Sequence, residues 1–104
     1  LALLQAWTPA VAPGQAGALF ASAHHEALAR TAKAAGEEAL AVEAAAKAVA
    51  LARRQGQLYW LAQALITQAG LEAGLRQPNL RWAQRIIRLT GSAGLQPLWQ
   101  AVAG

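Results

Sequence analysis

Four residues near one end of the chain, Ser22, His24, His25 and Glu26, are of the types from which hydrolytic or metal chemistry is assembled. Their spacing argues against both. Two histidines grip one metal from a helix when they stand four apart and share a face, as in H-E-x-x-H, but the residue four after His25 is Ala29. Neighbours such as His24 and His25 point about 100° apart on a helix. Ser22 lies three before His25 and could share its side. A triad, however, also needs an orienting carboxylate and an oxyanion hole, and the chain has no aspartate and no candidate for the hole. No G-x-x-x-x-G-K phosphate loop occurs. The histidines are expected at a partly exposed surface. The chain is expected to be non-enzymatic, with no catalytic residue, cofactor or bound metal.

The other available chemistry is anion recognition. Up to Glu72 the five acids (Glu26, Glu37, Glu38, Glu43, Glu72) balance five bases (Arg30, Lys33, Lys47, Arg53, Arg54). Beyond it stand Arg76, Arg81, Arg85 and Arg88 with no acid, so the whole net charge of +4 lies in the last third. Arg81, Arg85 and Arg88, at i, i+4 and i+7, form a narrow stripe on one helix, with Leu80, Ala83, Ile86 and Ile87 facing roughly the other way. Such a stripe meets nucleic-acid phosphates, meets an acidic protein surface, or is simply solvated. No helix-turn-helix or RNA-binding motif accompanies it. Candidate partner-binding residues are Arg76, Arg81, Arg85, Arg88 and Trp99. Trp60, Trp82 and Trp99, with Tyr59, read either as core or as the lining of a concave face, and helical spacing favours core.

These residues need helices to hold them, and helices are what the rest of the chain supplies. Hydrophobic residues make up 56% of it, largely alanine, so a thin, close-packed core is expected. From Thr8 to Gly17 two prolines and two glycines mark a connector after a short helix end at Leu1–Trp7. A helix is predicted from Ala18 to Ala35, stopped by Gly36. Gly36 to Gly56 reads as a second helix, with Leu40, Ala44, Ala48 and Leu51 recurring on one side and Glu43 and Lys47 pairing across one turn on the other. A third runs from Gln57 to Ala73 and ends at Gly74. A fourth has Pro78 in its first turn and runs to about Thr90. Gly91, Ser92 and Gly94 turn the chain into a fifth, from Leu95 to Val102.

The second and fourth segments look like copies. Gly36/Gly74 and Gly56/Gly94 are both 38 apart, and Ala45/Ala83 and Leu51/Leu89 match in the same register. That period points to a helical array. Ala41, Ala45, Ala48, Leu51, Ala83 and Leu89 are the expected helix-packing positions.

On these residues the chain resembles the tetratricopeptide repeat family. The family's spacing of a leucine-small pair followed by small residues is met by Leu28-Ala29, Ala41, Ala45 and Ala48, and more loosely by Ile66-Thr67, Asn79, Ala83 and Ile86. Ala32 and Gly70 stand where the family has aromatics, and Arg53 and Gly91 where it has its closing proline. The period exceeds the standard of about 34. The resemblance is therefore to the long-period arrays of large bacterial transcription activators. It implies a scaffold that binds proteins or ligands.

The expected fold is all-α: antiparallel helix pairs stacked as a short right-handed superhelical, tetratricopeptide-like array. The expected division is a connector over 1–17, repeat one over 18–55, repeat two over 56–93 and a truncated third unit over 94–104. With no methionine and no signal-peptide pattern the chain reads as a piece of a longer protein. Glu43 and Lys47 interrupt the best apolar run, so no membrane span is expected. A soluble, cytoplasmic chain is the expectation, although the lack of cysteine leaves the redox compartment open. The leading functional reading is a protein-interaction or regulatory module of a larger bacterial protein, a transcriptional regulator being one candidate, whose partner is a protein or neighbouring domain, acidic in one version. The alternatives are nucleic-acid binding through the arginine stripe and a small-molecule sensor. Uncovered apolar ends, carried by Leu3, Leu4, Trp7, Leu98 and Trp99, lead to the expectation of a homo-oligomer.

Overall fold

Alanine-rich stretches with no β-branched runs become helices, and glycines in the left-handed region stop three of them. The computed structural model describes residues 21–104. It contains α1 (Ala21–Ala34), α2 (Glu38–Gln55), α3 (Leu58–Leu71), α4 (Ala73–Thr90), a single 3₁₀ turn (Ala93–Leu95) and α5 (Gln96–Ala103), with no strand among the described residues. The helix end expected at Leu1–Trp7 and the connector expected from Thr8 to Gly17 lie outside the described residues.

Gly36 (φ 80°) and Gly56 (φ 67°) close α1 and α2. After each glycine the next amide folds back onto the last turn, Glu37 N–H to Ala32 O at 2.9 Å and Gln57 N–H to Ala52 O at 3.0 Å. These bonds satisfy helix-end carbonyls that would otherwise be bare. Gly91 (φ 70°) does the same for α4. Gly74 and Gly94 do not. The third helix ends at Leu71, and the single extended residue Glu72 (φ −125°, ψ 108°) turns the chain straight into α4. Gly74 falls in the first turn of α4, where amides lack helical partners anyway, and Pro78 lies one turn further in than the sequence suggested.

Helix α3 has 14 residues, against 18 in each of α2 and α4. The ends of α1 and α3 are 37 apart (71 − 34) and the starts of α2 and α4 are 35 apart (73 − 38), rather than the 38 of the glycine register. The one-residue link at Glu72, against three residues between α1 and α2, accounts for the two residues by which these spacings differ from each other. Short links of this kind reverse the chain, so consecutive helices lie back against each other.

The most extensive packing is of α1 on α2 and of α3 on α4. Helix α3 is central, touching α1, α2, α4 and α5. Ala62, Ala64, Leu65, Ile66 and Ala69 are accordingly buried on several sides of it. Most of the large core side chains lie around α3 and α4, where Val49, Leu65, Ile66, Ile86, Ile87 and Leu95 cluster with Trp99 and Val102 against them. The α1–α2 contact is small-residue packing, Leu28 and Ala29 against Ala44 and Ala45. Ala41, Ala45, Ala48 and Ala83 are fully buried and Leu51 is half-buried.

Leu89 is the exception among the expected packing residues, since it is 78% exposed. It was paired with Leu51 through the 38-residue register. With helix starts 35 apart the residue that corresponds to Leu51 is Ile86, which is buried. No helix among the described residues is long and apolar enough to cross a membrane.

Candidate interaction surface on the fourth helix

In α4 the core takes Asn79, Leu80, Ala83, Ile86 and Ile87, a stripe of helical period that leaves Arg81, Trp82, Arg85, Arg88 and Leu89 outside. Two polar contacts hold this helix in its rotation. Asn79 Nδ2 donates to Leu65 O at 3.3 Å and to Gln68 Oε1 at 2.8 Å, tying α4 to α3. Trp99 Nε1 donates to Leu80 O at 2.7 Å and ties α5 to α4.

Trp82, expected in the core, is instead 56% exposed. It stands one residue away from the buried stripe, on the same side as Arg85, whose guanidinium carbon lies 5.7 Å from the indole centroid. A cation at that distance is drawn to the ring face, which holds both side chains in place. The signal was in the sequence: once Leu80, Ala83, Ile86 and Ile87 are assigned inward, Trp82 is left beside the arginines.

Two grooves flank this ridge. One, of about 880 Å³, lies towards α5 and is bounded by Arg81, Trp82, Arg88, Leu89 and Trp99. The other, of about 490 Å³, lies towards α3. Leu65 and Ile86 are its buried floor and Leu61 is half-buried, while Leu58, Leu89, Arg53 and Arg85 stand at its exposed rim. Arg53 comes from the last turn of α2 and Leu58 from the first turn of α3, on either side of the Gly56 turn. Nothing local in the sequence pointed to either. Arg76 is exposed at the start of α4 and lines neither groove. Trp99 is half-buried and serves as a wall more than a contact tip.

The charge of this face is uncompensated. Among the described residues the ion pairs are Arg30 with Glu26 and Lys47 with Glu43, both remote from α4. Arg53, Arg81, Arg85 and Arg88 have no carboxylate within ion-pair distance there. The surface thus combines four cations, an exposed indole and aliphatic side chains, a composition enriched where proteins meet partners.

The Ser22–Glu26 cluster is built differently from the expectation. Of the two histidines expected at a partly exposed surface, His25 is half-buried and His24 is buried, as is Glu26, because α1 packs against both α2 and α3. The Glu26 carboxylate accepts from Gln63 Nε2 at 3.0 Å, Thr67 Oγ1 at 2.8 Å and Arg30 Nε at 2.6 Å. It is a strut between α1 and α3. Ser22 Oγ donates to Ala48 O at 2.9 Å, directed away from the imidazoles and into α2. The rings of His24 and His25 meet edge-on, centroids 5.3 Å apart. Burial, then His24, then Lys47, push the His25 pKa below its usual range. No group of three metal-binding side chains gathers among the described residues.

No protein-family model matches the chain, and neither a curated protein nor a solved structure matches it.

Proposed function

We propose that this chain is a protein-interaction module, a non-enzymatic array of tetratricopeptide-like helix pairs whose α4 face binds an acidic protein surface. The observation that carries the reading is the uncompensated face itself, where Arg81, Arg85 and Arg88 surround the exposed Trp82 with no carboxylate in reach. A monomer gains nothing from leaving an indole and a leucine in water between cations, whereas a partner that covers them gains apolar burial and charge pairing together.

Several features support the array. Helix α1 packs on α3 and α3 on α5, while α2 and α4 each pack against the helix that precedes them. Of the residues that carry the family resemblance, Leu28, Ala29, Ala41, Ala45, Ala48, Ile66, Asn79, Ala83 and Ile86 are buried and Thr67 is half-buried. At Gly70, where the family has an aromatic, α5 lies close to α3, with Val102 Cγ2 3.6 Å from the place of a β-carbon, an ordinary contact distance for a small side chain. On this reading the module serves a larger cytoplasmic regulatory protein, a bacterial transcription regulator being the context the resemblance implies.

Nucleic-acid binding is the second reading, favoured by the stripe alone, whose three arginines span roughly 10 Å of helix at 1.5 Å per residue. Measuring association rates of an oligoglutamate peptide and a duplex DNA separates the two. Changing Arg81, Arg85 and Arg88 together to glutamine is expected to slow peptide association mainly at low salt, with DNA failing to compete. DNA binding that the triple change abolishes, with a log-log salt slope near 0.9 per lost contact, would overturn the protein reading.

A further inference from the structure

The groove between α3 and α4 has the shape of a seat for a third helix. Its α3 wall is Leu58, Leu61 and Leu65, at i, i+3 and i+7, and its α4 wall is Trp82, Arg85, Ile86 and Leu89, at i, i+3, i+4 and i+7. Each wall is therefore one stripe of a helix, about two turns or roughly 10 Å long. The helices run back against each other, with Asn79 bonded to Leu65 O, so Leu65 lies towards Trp82 and Leu58 towards Leu89. A trough between two packed helices accepts the side-chain ridge of another helix laid along it. Peptides are recognised in this way through anchors at i, i+3 or i+4, and i+7.

Charge selects which helix. Arg53 stands at the Leu58 and Leu89 end and Arg85 midway, while Arg81 lines the neighbouring groove towards α5. A second copy of this chain presenting the same face would set arginine against arginine. We infer that the α3–α4 groove binds an acidic amphipathic helix of a partner protein, with two or three aliphatic or aromatic anchors over Leu65 and Ile86 and flanking carboxylates on Arg53 and Arg85. The inference rests on the reading of this face as the site of an acidic protein partner, and it adds the conformation and the side-chain pattern of that partner.

The test uses the whole 104-residue chain and fluorescein-labelled peptides of about 18 residues, long enough to cover the groove with both ends to spare. A small set carries leucine, isoleucine or phenylalanine at i, i+4, i+7 and i+11 with glutamate elsewhere on the flanks. Controls are the same compositions scrambled around the helix, the same peptides with a central proline, oligoglutamate, and duplex DNA. Anisotropy is expected to show at least one patterned peptide binding about tenfold or more tighter than its scrambled and proline forms, the equivalent of about 1.4 kcal/mol. Its helical circular dichroism should rise on binding, and Leu58→Ser or Leu89→Ser, both at exposed positions, should each weaken it severalfold.

If scrambled peptide and oligoglutamate bind as well as the patterned set, and the triple arginine change weakens all of them, the helix inference falls while the acidic-partner reading stands. If no peptide binds and duplex DNA does, both fall. A dimer of the chain alone that Leu89→Ser dissolves in sedimentation would assign the groove to a second copy and overturn the inference.

Discussion

Replacing Glu26 by alanine tests the strut between α1 and α3. The carboxylate is only 3% exposed and takes three donors, of which Thr67 and Gln63 are half-buried and Arg30 reaches into solvent. Hydrogen bonds to a charged group are worth about 1.5–3 kcal/mol each. Half-buried donors recover some of that from water, so the low end applies to Thr67 and Gln63. Part is also returned because the variant no longer has to dehydrate a carboxylate. The net loss is expected to be about 2 kcal/mol, within a range of roughly 1–4. Arg30→Ala should cost less than about 0.5 kcal/mol, since its exposed guanidinium simply hydrates. Glu26→Gln keeps the shape but turns an amide donor towards one of the existing donors, so an intermediate cost of about 1 kcal/mol is expected. Urea unfolding followed by circular dichroism should show the midpoint moving with little change in slope. A loss of about 2 kcal/mol lowers Tm by roughly 8–16 °C in a domain of this size. The reasoning is refuted if Glu26→Ala is within about 0.5 kcal/mol of the parent, or if Arg30→Ala costs as much as Glu26→Ala.

Ala48 is fully buried in the cluster that joins α2 to α3 and α4, so Ala48→Leu should overpack that contact and cost about 1–3 kcal/mol. Ala46→Leu, at an exposed position, should cost far less, and equal costs in a thermal melt would show the helix faces to be misassigned. His25 has a folded-state pKa below its usual 6.5, so between the two values the unfolded chain binds more protons. Its contribution is fully present above pH 6.5 and is lost as pH falls through the lowered value, with His24 and Lys47 opposing the added charge. Urea midpoints from pH 7.5 down to 5 should fall less steeply in His25→Gln than in the parent, and identical slopes would refute the burial argument. On α5, Leu98 is 44% exposed, and if the array is extended by a second copy there, Leu98→Ser should reduce the concentration-dependent mass seen in sedimentation. A parent that stays monomeric at high concentration would rule out that self-association; of the other proposed carriers Trp99 is half-buried, and Leu3, Leu4 and Trp7 lie outside the described residues.

Helix positions were readable from the sequence because their causes are local. Alanine favours the helix wherever it stands, and Gly36 and Gly56 stop one because only glycine enters the left-handed region without cost. The inward set Leu80, Ala83, Ile86 and Ile87 and the outward set Arg81, Arg85 and Arg88 follow from 3.6 residues per turn and the cost of burying unpaired charge. What a helix meets beyond its first neighbour is not local. Glu26 looks like an ordinary surface acid until α3 brings Gln63 and Thr67, 37 and 41 residues away, to its carboxylate. The helix spacing of 35 for the long helices depended on a one-residue link that an extended Glu72 makes possible, and no composition signal marks such a residue. The groove joins Arg53 and Leu58 to Trp82 and Leu89 only because α3 lies between α2 and α4, so its shape and its concentration of positive charge belong to the tertiary packing of helices whose individual faces the sequence had already sorted.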